Sequence, residues 1–157
     1  MTHFTKIFAL SFLCFIFFLS CKKIQSDKIL EHKIKAIVTE NTDSVLDLES
    51  ITDFDWDNVL ILGPYSNPET VERNLGIDLS SIMHTGIEIR DDINQLVFLK
   101  KNAIVRMVEY PRYPAGDFIV NTNTNLLLTP KSRSKFKIET TNDKSTEGDN
   151  WIVLVQQ

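Results

Sequence analysis

The sequence predicts an α+β fold: an antiparallel or mixed sheet of about five or six strands with an N-terminal helix packed on one face. Two patterns carry this. Residues 27–40, DKILEHKIKAIVTE, repeat apolar side chains at helical spacing. Beyond them, short apolar or alternating runs are cut by Gly, Pro and Asn turn signals, and the last run, WIVLVQQ, reaches the C-terminus. Residues 27–157 have the length of one ordinary domain, enough to bury a core without covalent staples. No internal repeat divides them, and strand order is not legible.

The elements follow in chain order. At about 100° per residue, Ile29, Leu30, Ile34, Ile37 and Val38 fall within about half a turn of the first helix. Lys28, Glu31, His32 and Lys35 take the other side, and Glu31 is spaced to pair with Lys35. Ser26 or Asp27 caps the start. SVLDLESI alternates partly and reads as a strand. In FDWDNVLILGPY the first half alternates aromatic with acidic, and residues 59–62 are continuously apolar. That predicts a strand buried on both faces by its end. Gly63-Pro64 stops it. SNPETVERNLG reads as a short helix with Asn67 as N-cap, Pro68 first and Gly76 as the stop. Ser66 with Glu69 would instead form a capping box. Residues 78–94 are ambiguous beyond one helical turn around 80–84. QLVFLK and AIVRMVEY form a hairpin turning near Lys101-Asn102, YPRYPAGDF and NTNTN are loops, and SKFKIETT pairs with WIVLVQQ.

The amino end has its own logic. Residues 7–19, IFALSFLCFIFFL, are apolar except Ser11. As a helix they would rise about 20 Å at ~1.5 Å per residue. A bilayer core needs roughly 30 Å, so the run suits the core of a signal peptide, with Lys6 as its positive flank. Of the small residues an ordinary cleavage site wants, only Ser20 is in place. Ser20-Cys21 after the apolar run resembles the lipobox of bacterial lipoproteins, with departures at Phe18 and Leu19. The resemblance implies that residues 1–20 are removed and that Cys21 is lipidated with two or three acyl chains. One chain anchors only marginally; two or three anchor stably. An uncleaved anchor and ordinary secretion are the alternatives. Lys22, where inner-membrane lipoproteins carry Asp, implies the outer membrane, periplasmic or surface face, in a cell that has one. Residues 21–26 are then the lipidated cysteine and a short tether, whose five residues after Cys21 reach about 18 Å at most. A second pattern, FDWD…LILGPYS followed by a short helix and an apolar hairpin, is similar to small bacterial lipoproteins of uncharacterised function. It implies no active residues.

Composition removes several classes. The chain has 17 basic and 21 acidic residues. Losing residues 1–20 takes away only Lys6, so the remainder lacks the basic footprint that nucleic acid requires. The cysteines are Cys14 and Cys21, which leaves the domain no thiol for a disulfide, a nucleophile or a metal. The five glycines stand at least ten positions apart, which excludes a phosphate-cradling loop and a dinucleotide fingerprint. No cofactor is indicated.

Three stretches invite a functional reading. Asp53, Asp55 and Asp57 would share one face of an extended segment, but the stretch fails as an EF-hand and reads as a solvated face opposite Phe54 and Trp56. Lys131, Arg133, Lys135 and Lys137 form a basic stripe that could pair with those acids, guard a sheet edge or touch anionic headgroups. In the loop over residues 109–118, Tyr110, Arg112, Tyr113 and Phe118 are candidate partner-binding residues. Tyr and Arg are enriched in hot spots, and two prolines pre-stiffen the loop; the other reading is that the aromatics tuck inward and cap the core. His84 near Ser80 and Ser81 lacks a nucleophile elbow. The sequence therefore points to a lipid-anchored cell-envelope protein with a non-catalytic binding or structural role toward an envelope protein or glycan. The alternatives are an inhibitor or immunity lipoprotein acting through residues 109–118, and a small envelope hydrolase.

Overall fold

The computed structural model describes residues 23–41, 43–144 and 150–157, the side chains of 142–144 and 150 excepted. The signal segment and Cys21 lie outside the described residues. Helix α1, Lys28–Glu40, starts where the Asp27 carboxylate accepts from the amides of Ile29 and Leu30. Ser26 does other work: its Oγ accepts from the Glu109 amide. Leu30, Ile34 and Val38 are buried, one apolar residue every fourth position. Ile29 is 83% exposed, so the buried arc is narrower than the sequence suggests. Glu31 pairs with Lys28 at 2.7 Å and not with Lys35.

The α+β class holds, but eight strands form two four-stranded sheets where one sheet of five or six was expected. The first sheet runs β1 (Val45–Asp47), β7 (Lys135–Lys144), β8 (Asn150–Gln156), β5 (Asp117–Phe118) in spatial order. It is mixed, because β5 pairs parallel with β8. The second runs β4 (Ala103–Pro111), β3 (Ile93–Lys100), β2 (Asn58–Leu62), β6 (Leu126–Pro130), antiparallel throughout. The reason for two layers lies in β2 and β3. Their apolar runs are continuous, so each strand has two faces to cover. Val59, Ile61, Leu96 and Phe98 face a core shared with α1, Phe118, Phe136, Ile138 and Leu154. Leu60, Leu62, Val97 and Leu99 face a second core under α3 (Pro68–Leu75) and the 3₁₀ segments Ser80–Thr85 and Ile87–Ile89.

SVLDLESI is only half strand: Asp47 ends β1 and caps the short helix α2, Leu48–Ile51. Trp56 precedes β2 and is 1% exposed, its indole N–H donating to Thr52 Oγ1 at 2.8 Å. Helix α3 carries the expected signals, with Asn67 accepting from Thr70 N and Gly76 left-handed at φ 65°. The capping-box alternative does not form, because the Ser66 hydroxyl donates to Gly63 and Asn125 carbonyls instead. The β3–β4 hairpin turns on Lys101 and Asn102, both at positive φ, as a two-residue hairpin requires. The Asp57 carboxylate accepts from the Lys101 amide at 2.9 Å and holds that turn.

Candidate functional site

Of the four residues nominated between 109 and 118, two are interior. Tyr110 ends the inward alternation of β4 and is 0% exposed; Phe118 on β5 is 2% exposed. Their rings meet edge-on at 5.6 Å, and the Tyr110 hydroxyl donates to the Ala115 carbonyl. Neither can touch a partner in this fold. Arg112 is engaged locally. It pairs with Asp117 at 2.6 Å, donates to the Asp91 carbonyl and lies over Trp151. The Asp117 hydrogen bond raises its pKa, so it stays protonated. Tyr113 is half-buried against Trp151. The stretch is a structural clasp that closes the edge of the first sheet.

Burial pushes the Tyr110 phenol up from its ordinary 10, with nearby Glu31 adding to the shift. The unfolded chain therefore ionises this group at a lower pH than the folded chain does. Its contribution is complete below about pH 10 and lost as pH rises above that. Tyr110→Phe is expected to flatten the alkaline decline in unfolding free energy, read from urea titrations at about pH 8 and about pH 11. An unchanged slope would mean that this phenol is not the group responsible.

The charged stripes also resolve locally. Residues 53–57 precede β2, and of them Asp57 bonds both neighbouring strands' ends, its amide donating to Leu99 O and its carbonyl accepting from Lys131 N. Asp55 and Asp57 both meet the Lys100 ammonium, at 3.0 and 2.9 Å. Of the three readings open for the basic stripe, pairing with these acids does not form among the described residues. Lys135 reaches Asp47, Lys137 reaches Glu139, and Lys131 lies over Trp56. Among the described residues no cluster of His, Cys, Asp or Glu could hold a metal. His84 is exposed, and no hydrogen bond links it to Ser80 or Ser81 among the described residues.

Among the surface depressions of the described residues, two beside α3 bear on a site. The wider, of about 780 Å³, lies between α3 and the Ser80–Thr85 segment. Two of its three acids are spent locally, Glu72 accepting from Leu79 N and Asp78 from Ser80 N, while Glu69 and Arg73 also line it; hydrogen bonds from the Ser80 side chain and amide hold Asp78 below its ordinary 3.8. The second, of about 270 Å³, lies between α3 and the turn entering β6. Its walls include Tyr65, Asn67, Thr70, Asn74, Asn123 and Thr124, and no charged residue lines it. Tyr65 is 57% exposed.

Tertiary pairing builds this groove. β2 and β6 pair along their whole length, which sets the 63–66 turn beside the 121–125 turn. The Asn125 carbonyl then accepts from Gly63 N at 2.7 Å and from the Ser66 hydroxyl at 2.8 Å. The fit is tight enough that a Cβ on Gly63 would stand 2.9 Å from Val120. Tyr65 and Asn125 both hold left-handed backbone, at φ 60° and 53°, a conformation costly for a bulky residue and kept only where the surroundings impose it. The side chains of Asn74, Asn123 and Thr124 have no protein hydrogen-bond partner among the described residues. An amide carries both donors and acceptors, so the walls can serve a ligand that does the same. No family model, curated protein or solved structure matches the chain.

Proposed function

We propose that the chain is a lipid-anchored cell-envelope protein that binds a neutral glycan at the Tyr65–Asn123 groove without catalysis. The observation that carries the reading is the chemistry of that groove: an exposed aromatic face and amide walls with no charge, in a chain where 24% of residues are charged. A sugar hydroxyl both donates and accepts, as an amide does, and a ring face offers apolar contact to Tyr65. The groove is pre-set by the Gly63 and Ser66 bonds to Asn125, which lowers the ordering cost of binding. Anchoring rests on Ser20-Cys21 and the short apolar run before it. The alternative that acts through residues 109–118 loses its support, because Tyr110 and Phe118 are interior.

The test uses the full chain, produced in a bacterial host and extracted in detergent. Its mature mass should show residues 1–20 removed and an acylated Cys21, while Cys21→Ala should remain an unprocessed precursor. On an array of neutral and anionic oligosaccharides it should retain neutral ones. Tyr65→Ala should weaken that retention about tenfold, roughly 1.4 kcal/mol and typical of a hot-spot truncation. No retention, retention of anionic oligosaccharides alone, or retention indifferent to Tyr65→Ala would reject the groove.

A further inference from the structure

The folded domain begins earlier than the tether suggests. The Ile24 amide donates to the Ser81 carbonyl at 3.1 Å, and its side chain packs against the second core. Ser26 and Asp27 then bond the edge of β4, at Glu109 N and Met107 O. Ile24 sits beside Lys101, Ala103 and Ile104 at the start of β4. The segment thus runs from the hairpin tip along β4, with Lys23 and Ile24 at its tip end. Lys22 and Lys23 alone stand between Cys21 and Ile24, so three Cα–Cα steps reach about 11 Å at ~3.8 Å per step.

We infer that the β3–β4 hairpin-tip end of the domain lies against the lipid headgroups, with the Tyr65–Asn123 groove at the far end. The inference rests on the anchoring reading above. A diacylglyceryl cysteine holds its own backbone in the headgroup layer, roughly 5–8 Å thick on each side of the core. A reach of three Cα–Cα steps leaves the docked Ile24 no room to carry the domain away. The same end holds more than the tip: Asp57 bonds both the Lys101 amide and, through its carbonyl, the Lys131 amide. Lys23, Lys101 and Arg133 are exposed cations, and Lys131 is half-buried. Asp55 and Asp57 are taken up by Lys100 at the same end, and Asp78 offsets only part of the rest, so a modest excess of cations favours the same pose as the tether. The far end is defined by β2, which runs from Asn58 beside Leu99 to Leu62 beside Leu126. β3 alone, eight residues long, spans about 26 Å at ~3.3 Å per residue. The groove therefore faces away from the membrane, where a glycan can reach it.

The domain has no thiol of its own after Cys21, so a single introduced cysteine takes a fluorophore cleanly. Ala103 and Asn123 are both exposed, one at each end. Full-length chains carrying Ala103→Cys or Asn123→Cys, processed in a bacterial host, are labelled and reconstituted into vesicles containing a nitroxide-headgroup lipid. The Ala103 label should be quenched several-fold more than the Asn123 label. Equal quenching, or stronger quenching at Asn123, on a chain whose mass shows acylated Cys21 overturns the orientation and leaves the anchor standing. A chain with no acyl group on Cys21 and no retention on vesicles overturns both.

Discussion

Phe118→Ala is expected to lower the stability of the domain by about 3–5 kcal/mol, the usual cost of truncating a buried phenylalanine. Phe118 sits on a strand of two residues, and its ring is the reason that strand stays in place. It meets Phe136 of the first sheet edge-on at 5.0 Å and Tyr110 of the second at 5.6 Å. Each such pair contributes roughly 0.5–1.5 kcal/mol beyond the area it buries. Removing the ring takes away one of the aromatic contacts between the two sheets and leaves a cavity in their shared core that paired strands cannot readily close. The measurement is a urea unfolding titration, with the midpoint falling and the slope unchanged. A loss below about 1 kcal/mol would place Phe118 at the surface and restore it as a partner contact.

That outcome bears on why residues 109–118 looked like a recognition loop. Residue types mark hot spots, but they do not tell which way a side chain points. The direction was nevertheless available in AIVRMVEY, where period-two alternation through Val108 carries Tyr110 to the same face. Arg112 carried no such signal, because its partner Asp117 is fixed by the turn between them. The groove was less legible still. Tyr65 and Asn123 are far apart in sequence, and only the pairing of β2 with β6 joins their turns. NTNTN read as a loop, correctly, but its neighbour was not written in it.

The fold divides along the same line. Features set within a turn or two of chain were legible: the Asp27 cap, the Asn67–Pro68 start, the left-handed Gly76 and the Lys101-Asn102 hairpin. Features set by distant pairing were not. β5 has two residues and β6 has five ending in Pro130, too short and too irregular to signal a strand alone. Without them each sheet loses an edge strand, and eight strands shrink to five or six.

The second core makes its own prediction. Leu60→Ala is expected to cost about 2–5 kcal/mol, and toward the upper part of that range. Leu60 and Ile61 are neighbours in β2, both 0% exposed, yet they serve different cores. Leu60 faces Val71, Leu79 and Ile82 beneath α3 and the 3₁₀ segments. β2 is held on both sides, by β3 and β6, so its backbone cannot shift to fill the space. The cost of such a truncation rises with the volume that fails to collapse. Had the domain been one sheet with a helix on a single face, Leu60 would point to solvent, and its truncation would stay within about half a kcal/mol. Urea unfolding of Leu60→Ala beside Ile61→Ala therefore separates the two architectures. Large losses in both variants require a covered layer on each face of β2. A negligible loss in Leu60→Ala alone would remove the outer layer and, with it, the α3 wall of the groove.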